Sequence, residues 1–228
     1  CAPAPPAEEE EVVPPADEEE VVPPQEEEGI PYGGRLDVGF MEPLDSLAQS
    51  PGIEHTNWGC LYDLLVYENL EHFNLPPDYY KFNPRLVQSY ETSEDCKTWT
   101  LHLVKNARWH DGEPVTAEDV KFTCEYLIST PGWADVDVCF DHIEIIDDYT
   151  LKIVNTRALA ATNAPGWWCW DPIIPKHIFE PYKDDVTLYP NKKAIGSGPF
   201  KLKEFKSGQY MWLVANEDYW GGRPYLDE

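Results

Sequence analysis

One stretch, TWTLHLVKNARWHDGEPVTAEDVKF at 98–122, constrains the fold more than any other part of this chain. Trp99, Leu101 and Leu103 alternate with Thr98, Thr100 and His102, the period of a half-buried strand. His110-Asp111-Gly112 supplies a turn, because glycine takes positive φ at little cost. Pro114 keeps Glu113 extended. Thr116 is a good N-cap, and Asp119 stands three residues on, where a capping box has Glu or Gln. Ala117, Val120, Cys124, Leu127 and Ile128 recur at helical spacing until Pro131-Gly132 stops them. The stretch predicts a strand, a tight turn and a capped helix.

The rest of the chain divides by composition. Residues 1–28 hold eleven acids and no Lys or Arg, and EEEVVPP occurs twice, at 9–15 and 18–24. Such a segment has too little apolar surface to offset ordering, so it is predicted to be a disordered, extended acidic linker. From Gly29 the composition becomes globular. Leu36, Val38 and Phe40 alternate as a strand, and Thr56 or Asn57 caps a helix carrying Leu61, Leu64 and Leu65. Residues 75–84 read as a loop. A hairpin is expected over 142–155 about Asp147-Asp148, a Trp-rich loop over 165–175, and a short helix or turn over 177–182. A second hairpin is expected over 200–216 about Ser207-Gly208. Strands and helices so mixed predict an α/β or α+β fold.

The charge of −25 opposes nucleic-acid phosphates and anionic headgroups alike. No apolar run approaches the roughly 18 residues of a membrane span. The sequence has no G-x-S-x-G, no P-loop and no H-E-x-x-H, and the adjacency of His110 and Asp111 along a turn makes no dyad. No enzyme activity, catalytic residue, cofactor or metal site is expected. Cys60, Cys96, Cys124, Cys139 and Cys169 include no C-x-x-C pair. Being odd in number they cannot all pair with one another; two bridges and one thiol is one arrangement, and Cys124 on the helix's apolar face is equally a small buried residue.

Several segments, taken in order, resemble one family. They are Gly33–Gly39 (GGRLDVG), Leu61–Val66 (LYDLLV), TWTLHL with DGEPVTAEDVKF, Ile143–Ile153, Ile174–Ile178 (IPKHI), and Gly196–Phe200 (GSGPF) followed by Asn216 and Tyr219–Gly222 (YWGG). This set is similar to the family 5 extracellular solute-binding proteins of ABC importers, which include oligopeptide- and dipeptide-binding receptors. The resemblance covers residues 29–228. It implies a periplasmic-binding-protein-like (type II) α/β first lobe with an inserted α+β subdomain, the second lobe missing. The first lobe would take 29–58 and 165–228, and the insertion 59–164. It also implies a monomer that hands its ligand to an ABC permease and its ATPase. A chain that begins at Cys1 looks like a mature lipoprotein, anchored outside the cytoplasmic membrane in the periplasm or at the cell surface.

On this reading the ligand is a peptide first and an oligosaccharide second, with a surface sensor or adhesive lipoprotein as a different class of use for the same fold. Flat aromatic walls with a few polar groups suit a ligand cleft. Trp167, Trp168 and Trp170 form the densest such wall, or else pack against the lobe's own core. Phe40 and Glu42 end the opening strand; Glu42 either accepts from a peptide amine or sugar hydroxyl or is solvated. Trp58 and Tyr62 begin the LYDLLV helix and rank third.

Overall fold

The computed structural model of the chain describes residues 31–39, 64–72, 82–129, 140–158, 172–183 and 193–228. The alternation at the start of the 98–122 stretch becomes a central strand. β1 (Val87–Thr92), β2 (Thr98–Leu103), β3 (Phe140–Asp147) and β4 (Thr150–Asn155) form one sheet in the order β1-β2-β4-β3. All its pairs are antiparallel. Trp99 faces Ile153 and Leu101 faces Leu151 across β2 and β4, and all four side chains are fully buried. Burying each contributes about 2 kcal/mol.

The helix of that stretch, α1 (Ala117–Ser129), covers this apolar face. Ala117, Val120 and Cys124 join Trp99, Leu101, Leu103, Ile143, Leu151 and Ile153 in one core. Its first turn is capped in one direction only. The Asp119 carboxylate accepts from the Thr116 backbone N–H at 2.9 Å and from the Thr116 hydroxyl at 3.2 Å, so the hydroxyl is a donor and not the acceptor of a full capping box. The Ala117 N–H donates to the carbonyl of Asp148 in the β3–β4 turn. That bond ties the helix start to the hairpin. Pro131-Gly132, expected to stop the helix, lie outside the described residues.

The turn before the helix is a three-residue loop. Trp109 N–H donates to Glu113 and Gly112 N–H donates to Trp109, each at 2.8 Å, and Gly112 takes φ +100, as such a loop requires. Further on come α2 (Lys176–Phe179), a 3-10 turn (Glu180–Tyr182), and the hairpin of β5 (Phe200–Lys206) and β6 (Tyr210–Ala215). Gly208 in that hairpin's turn has φ +66.

The structure corrects two expectations and adds a strand for which none was stated. Residues 31–39 contain no strand. Among the described residues their backbone meets 225–228, through Gly33 to Tyr225 and Leu36 to Glu228, and Leu36 and Val38 are 62% and 57% exposed. Leu64 is exposed as well; the residues buried beyond it are Val66, Tyr67 and Leu70. β1 was not foreseen. It is an edge strand with an irregular register between Val87 and Ser89, so its sequence carries no clean alternation.

Where the chain turns at GSGP, glycine is needed for space. A Cβ on Gly196 would sit 1.8 Å from the Val66 carbonyl oxygen, and one on Gly198 would sit 2.8 Å from it. Gly198 N–H donates to that same oxygen at 2.9 Å. The Gly196→Ala variant is expected to lose about 3 kcal/mol or more, since backbone must move. Gly112→Ala, with open space around it, should lose only about 1 kcal/mol through its positive φ. Urea unfolding of the two variants checks the contrast.

Candidate functional site

The motif residues are scattered in sequence but converge in space. His110, in the HDG turn, reads the GSGP backbone in both directions. Gly196 N–H donates to His110 Nδ1 at 3.2 Å. A backbone N–H can only donate, so Nδ1 is bare and the ring's proton is on Nε2. Nε2–H then donates to the Gly198 carbonyl at 3.0 Å. Loss of water around the half-buried ring pushes its pKa down to about 4.

The IPKH segment docks on the outer side of α1 through side chains that capture its backbone. Ile174 N–H donates to the Thr123 hydroxyl at 3.1 Å, and Lys176 N–H donates to Asp119 Oδ1 at 2.9 Å. Asp119 thus holds the start of its own helix with one oxygen and α2 with the other. Burial still raises its pKa against these bonds. An exposed ion pair, Lys176 with Glu118, and an exposed hydrogen bond, His177 with Asp111, flank the joint, each at 2.9 Å. Exposed pairs add little; the buried backbone captures do the positioning.

A third joint was missed by the sequence reading. Segment 66–72 runs through the interior with Val66, Tyr67, Glu68, Asn69 and Leu70 all buried. The Glu68 carbonyl accepts from Ile173 N–H at 2.9 Å. Its carboxyl accepts from the Tyr219 hydroxyl, in the YWGG turn, with Arg85 adding its charge nearby. Burial raises Glu68 to about 7 and lowers His72 to about 4. In sequence Glu68 and His72 are an acid and a base four residues apart, and the sequence reading assigned neither a role. The one available signal was their position directly after an apolar helical run.

Phe40, Glu42, Trp58, Tyr62, Trp167, Trp168, Trp170 and Cys1 all lie outside the described residues. The frame of the Trp segment is described on both sides. Before it, Asn155 is pinned to the Lys97 carbonyl through its backbone N–H at 2.9 Å and its side-chain amide at 3.0 Å. After it, Ile173 and Ile174 are buried and bonded as above. Among the described residues no group of three or more His, Cys, Asp or Glu is placed to hold a metal ion, and no helix is long and apolar enough to cross a membrane.

Residues 81–228 match the profile of the bacterial extracellular solute-binding proteins, family 5 Middle. The chain belongs to this family, and its mixed α/β fold matches that of solved family members. It is 34% identical over 150 residues to the oligopeptide-binding protein AppA of Bacillus subtilis, a match covering 62% of this chain and 27% of that protein. The structure of that AppA in complex with a nonapeptide superposes with a TM-score of 0.71 and 28% identity, over 86% of this chain and 39% of the other. The ABC transporter substrate-binding protein CtaP of Listeria monocytogenes superposes with a TM-score of 0.69 and 31% identity, over 80% of this chain and 37% of the other. The chain therefore spans about a quarter to a third of the length of the curated relatives it matches.

His110 makes the frame acid-sensitive. Folding lowers its pKa, so the unfolded chain takes up a proton that the folded chain refuses. Its contribution is complete above the unfolded value of about 6.5 and is lost as pH falls through about 4. The His110→Asn variant is expected to be less stable at neutral pH and to show a shallower loss between those values. Melting temperatures of both proteins across that range are the check.

Proposed function

We propose that this chain is the ligand-capturing part of a lipid-anchored receptor that collects peptides outside the cytoplasmic membrane and delivers them to an ABC permease. The carrying observation is the superposition on a family member holding a nonapeptide, over 86% of this chain. The receptor makes no covalent bond. Its ligand stabilises a closed arrangement of two lobes, and the permease recognises that arrangement while its ATPase supplies the energy.

In this reading residues 29–58 and 165–228 build the first lobe and 59–164 an inserted subdomain. The second lobe belongs to the greater length that the relatives have. Residues 1–28 space the receptor from a lipid on Cys1. It acts as a monomer. Trp167, Trp168 and Trp170 wall the cleft, with Phe40, Glu42, Trp58 and Tyr62 at its border. The surroundings support this assignment: a bond to Lys97 fixes Asn155 before residues 159–171, and bonds to Glu68, Thr123 and Asp119 fix Ile173, Ile174 and Lys176 after them. Fixed ends lower the ordering cost of binding.

Native mass spectrometry of the intact receptor, purified without denaturation, tests the ligand class. Bound masses that fit a series of peptides support the proposal; a series spaced by hexose units contradicts it. Trp167→Ala and Trp170→Ala in the intact receptor should each weaken peptide binding by about tenfold or more while leaving the melting temperature close to wild type. Unfolding of both variants would assign the indoles to the core instead.

A further inference from the structure

Segment 66–72 carries a titratable pair that ligand capture does not use. Glu68 Oε2 and His72 Nε2 face each other at 3.9 Å, too far for a direct hydrogen bond. Both atoms are buried, and among the described residues neither has a hydrogen-bond partner. The other carboxyl oxygen, Oε1, is occupied by the Tyr219 hydroxyl. The groups that face Glu68 are therefore Tyr219 from the turn after β6, Arg85 from the chain entering β1, and His72 and the Asn69 backbone N–H from its own segment. An acidic oxygen and an imidazole nitrogen, both orphaned in the interior, are satisfied by one proton between them.

We propose that Glu68 carries that proton on Oε2 in mildly acidic solution and offers it, through one bridging water or a slight closure, to an unprotonated Nε2 of His72, so that the buried pair is a neutral proton switch. A separation of 3.9 Å suits a single water bonded to both atoms. The competing arrangement moves the same proton to Nε2 and creates two buried charges. Desolvation penalises both, and Arg85 adds its repulsion against an imidazolium. Loss of the proton as pH rises leaves a carboxylate held by Tyr219 and Arg85.

The consequence for stability has opposite signs at the two residues. Folding raises the Glu68 pKa to about 7. Its contribution is complete below the unfolded value of about 4.3 and is lost as pH climbs through about 7. His72 is lowered to about 4, so its contribution is complete above about 6.5 and is lost as pH falls through about 4. Across mildly acidic pH the two dependences oppose and largely cancel in the wild-type chain, so each is seen only when the other residue is replaced.

Nitrogen and carboxyl-carbon NMR of the full wild-type chain reads both groups directly. Between about pH 5 and about pH 8, the expected result is a neutral His72 with its hydrogen on Nδ1, and a Glu68 carboxyl carbon that titrates near neutrality. A His72 imidazolium at about pH 6, or a Glu68 carboxyl still ionised at about pH 5, overturns the proposal. The Glu68→Gln variant, uncharged at every pH, gives a second reading. Its melting temperature should rise relative to wild type as pH increases from about 5 to about 8. A difference that stays constant over that range also overturns it.

Discussion

The motif turns and the entry to the sheet are joined through a buried backbone that belongs to no strand. Residues 67–72 cross the interior outside any regular element, so their N–H and C=O groups must find partners elsewhere. They find them on three separate segments. Val66 at the helical end of this run holds Gly198, and Glu68 holds Ile173. Asn69 and Leu70 hold Leu86 and Val87, and His72 donates to Asn83. One irregular run thus joins the GSGP turn, the IPKH segment and the entry to the four-stranded sheet. The glycines at 196 and 198 follow from this, because two backbones can approach so closely only where no Cβ intervenes.

The family motifs now have physical reasons. HDG places a histidine that reads two backbone groups of GSGP. The aspartate of the capped helix is there for the helix start and also for α2, fifty-seven residues on. The tyrosine of YWGG closes on Glu68. These residues are recognisable because they build a scaffold. In a binding protein the scaffold fixes where loops leave the body, and loops positioned by a rigid body carry recognition. The Trp segment is framed in that manner, which is why it carries the functional proposal.

Sequence reasoning did best where one local signal dominated. The alternation of β2, the Asp119 half of the helix cap and the turns at Gly112 and Gly208 were legible, because each depends on near neighbours; the Thr116 hydroxyl, expected to accept as N-cap, donates instead. The 142–155 hairpin was legible for the same reason, its turn differing from the expected one by a single residue. Long-range demands were not legible. Leu36 and Val38 alternate like a strand, yet among the described residues they meet too few partners to be covered. β1 escaped notice because a bulged edge strand has no strict period. Glu68 and His72 were assigned no role from the sequence, since nothing local says that a charged residue will be enclosed by segments far away in sequence. Of the site, the frame is described and the indoles proposed to line the cleft lie outside the described residues.

Amide hydrogen exchange on the whole chain tests the central claim most directly. If segment 66–72 is the hub, the amides of Gly198, Ile173, Leu86 and Val87, which all donate to it, should exchange through one shared opening with the same free energy. Slow, matched exchange at these four sites is the predicted result. Early exchange of Gly198 and Ile173 while Leu86 and Val87 stay protected would contradict it, and would mean that the sheet and the motif turns are held by separate interactions.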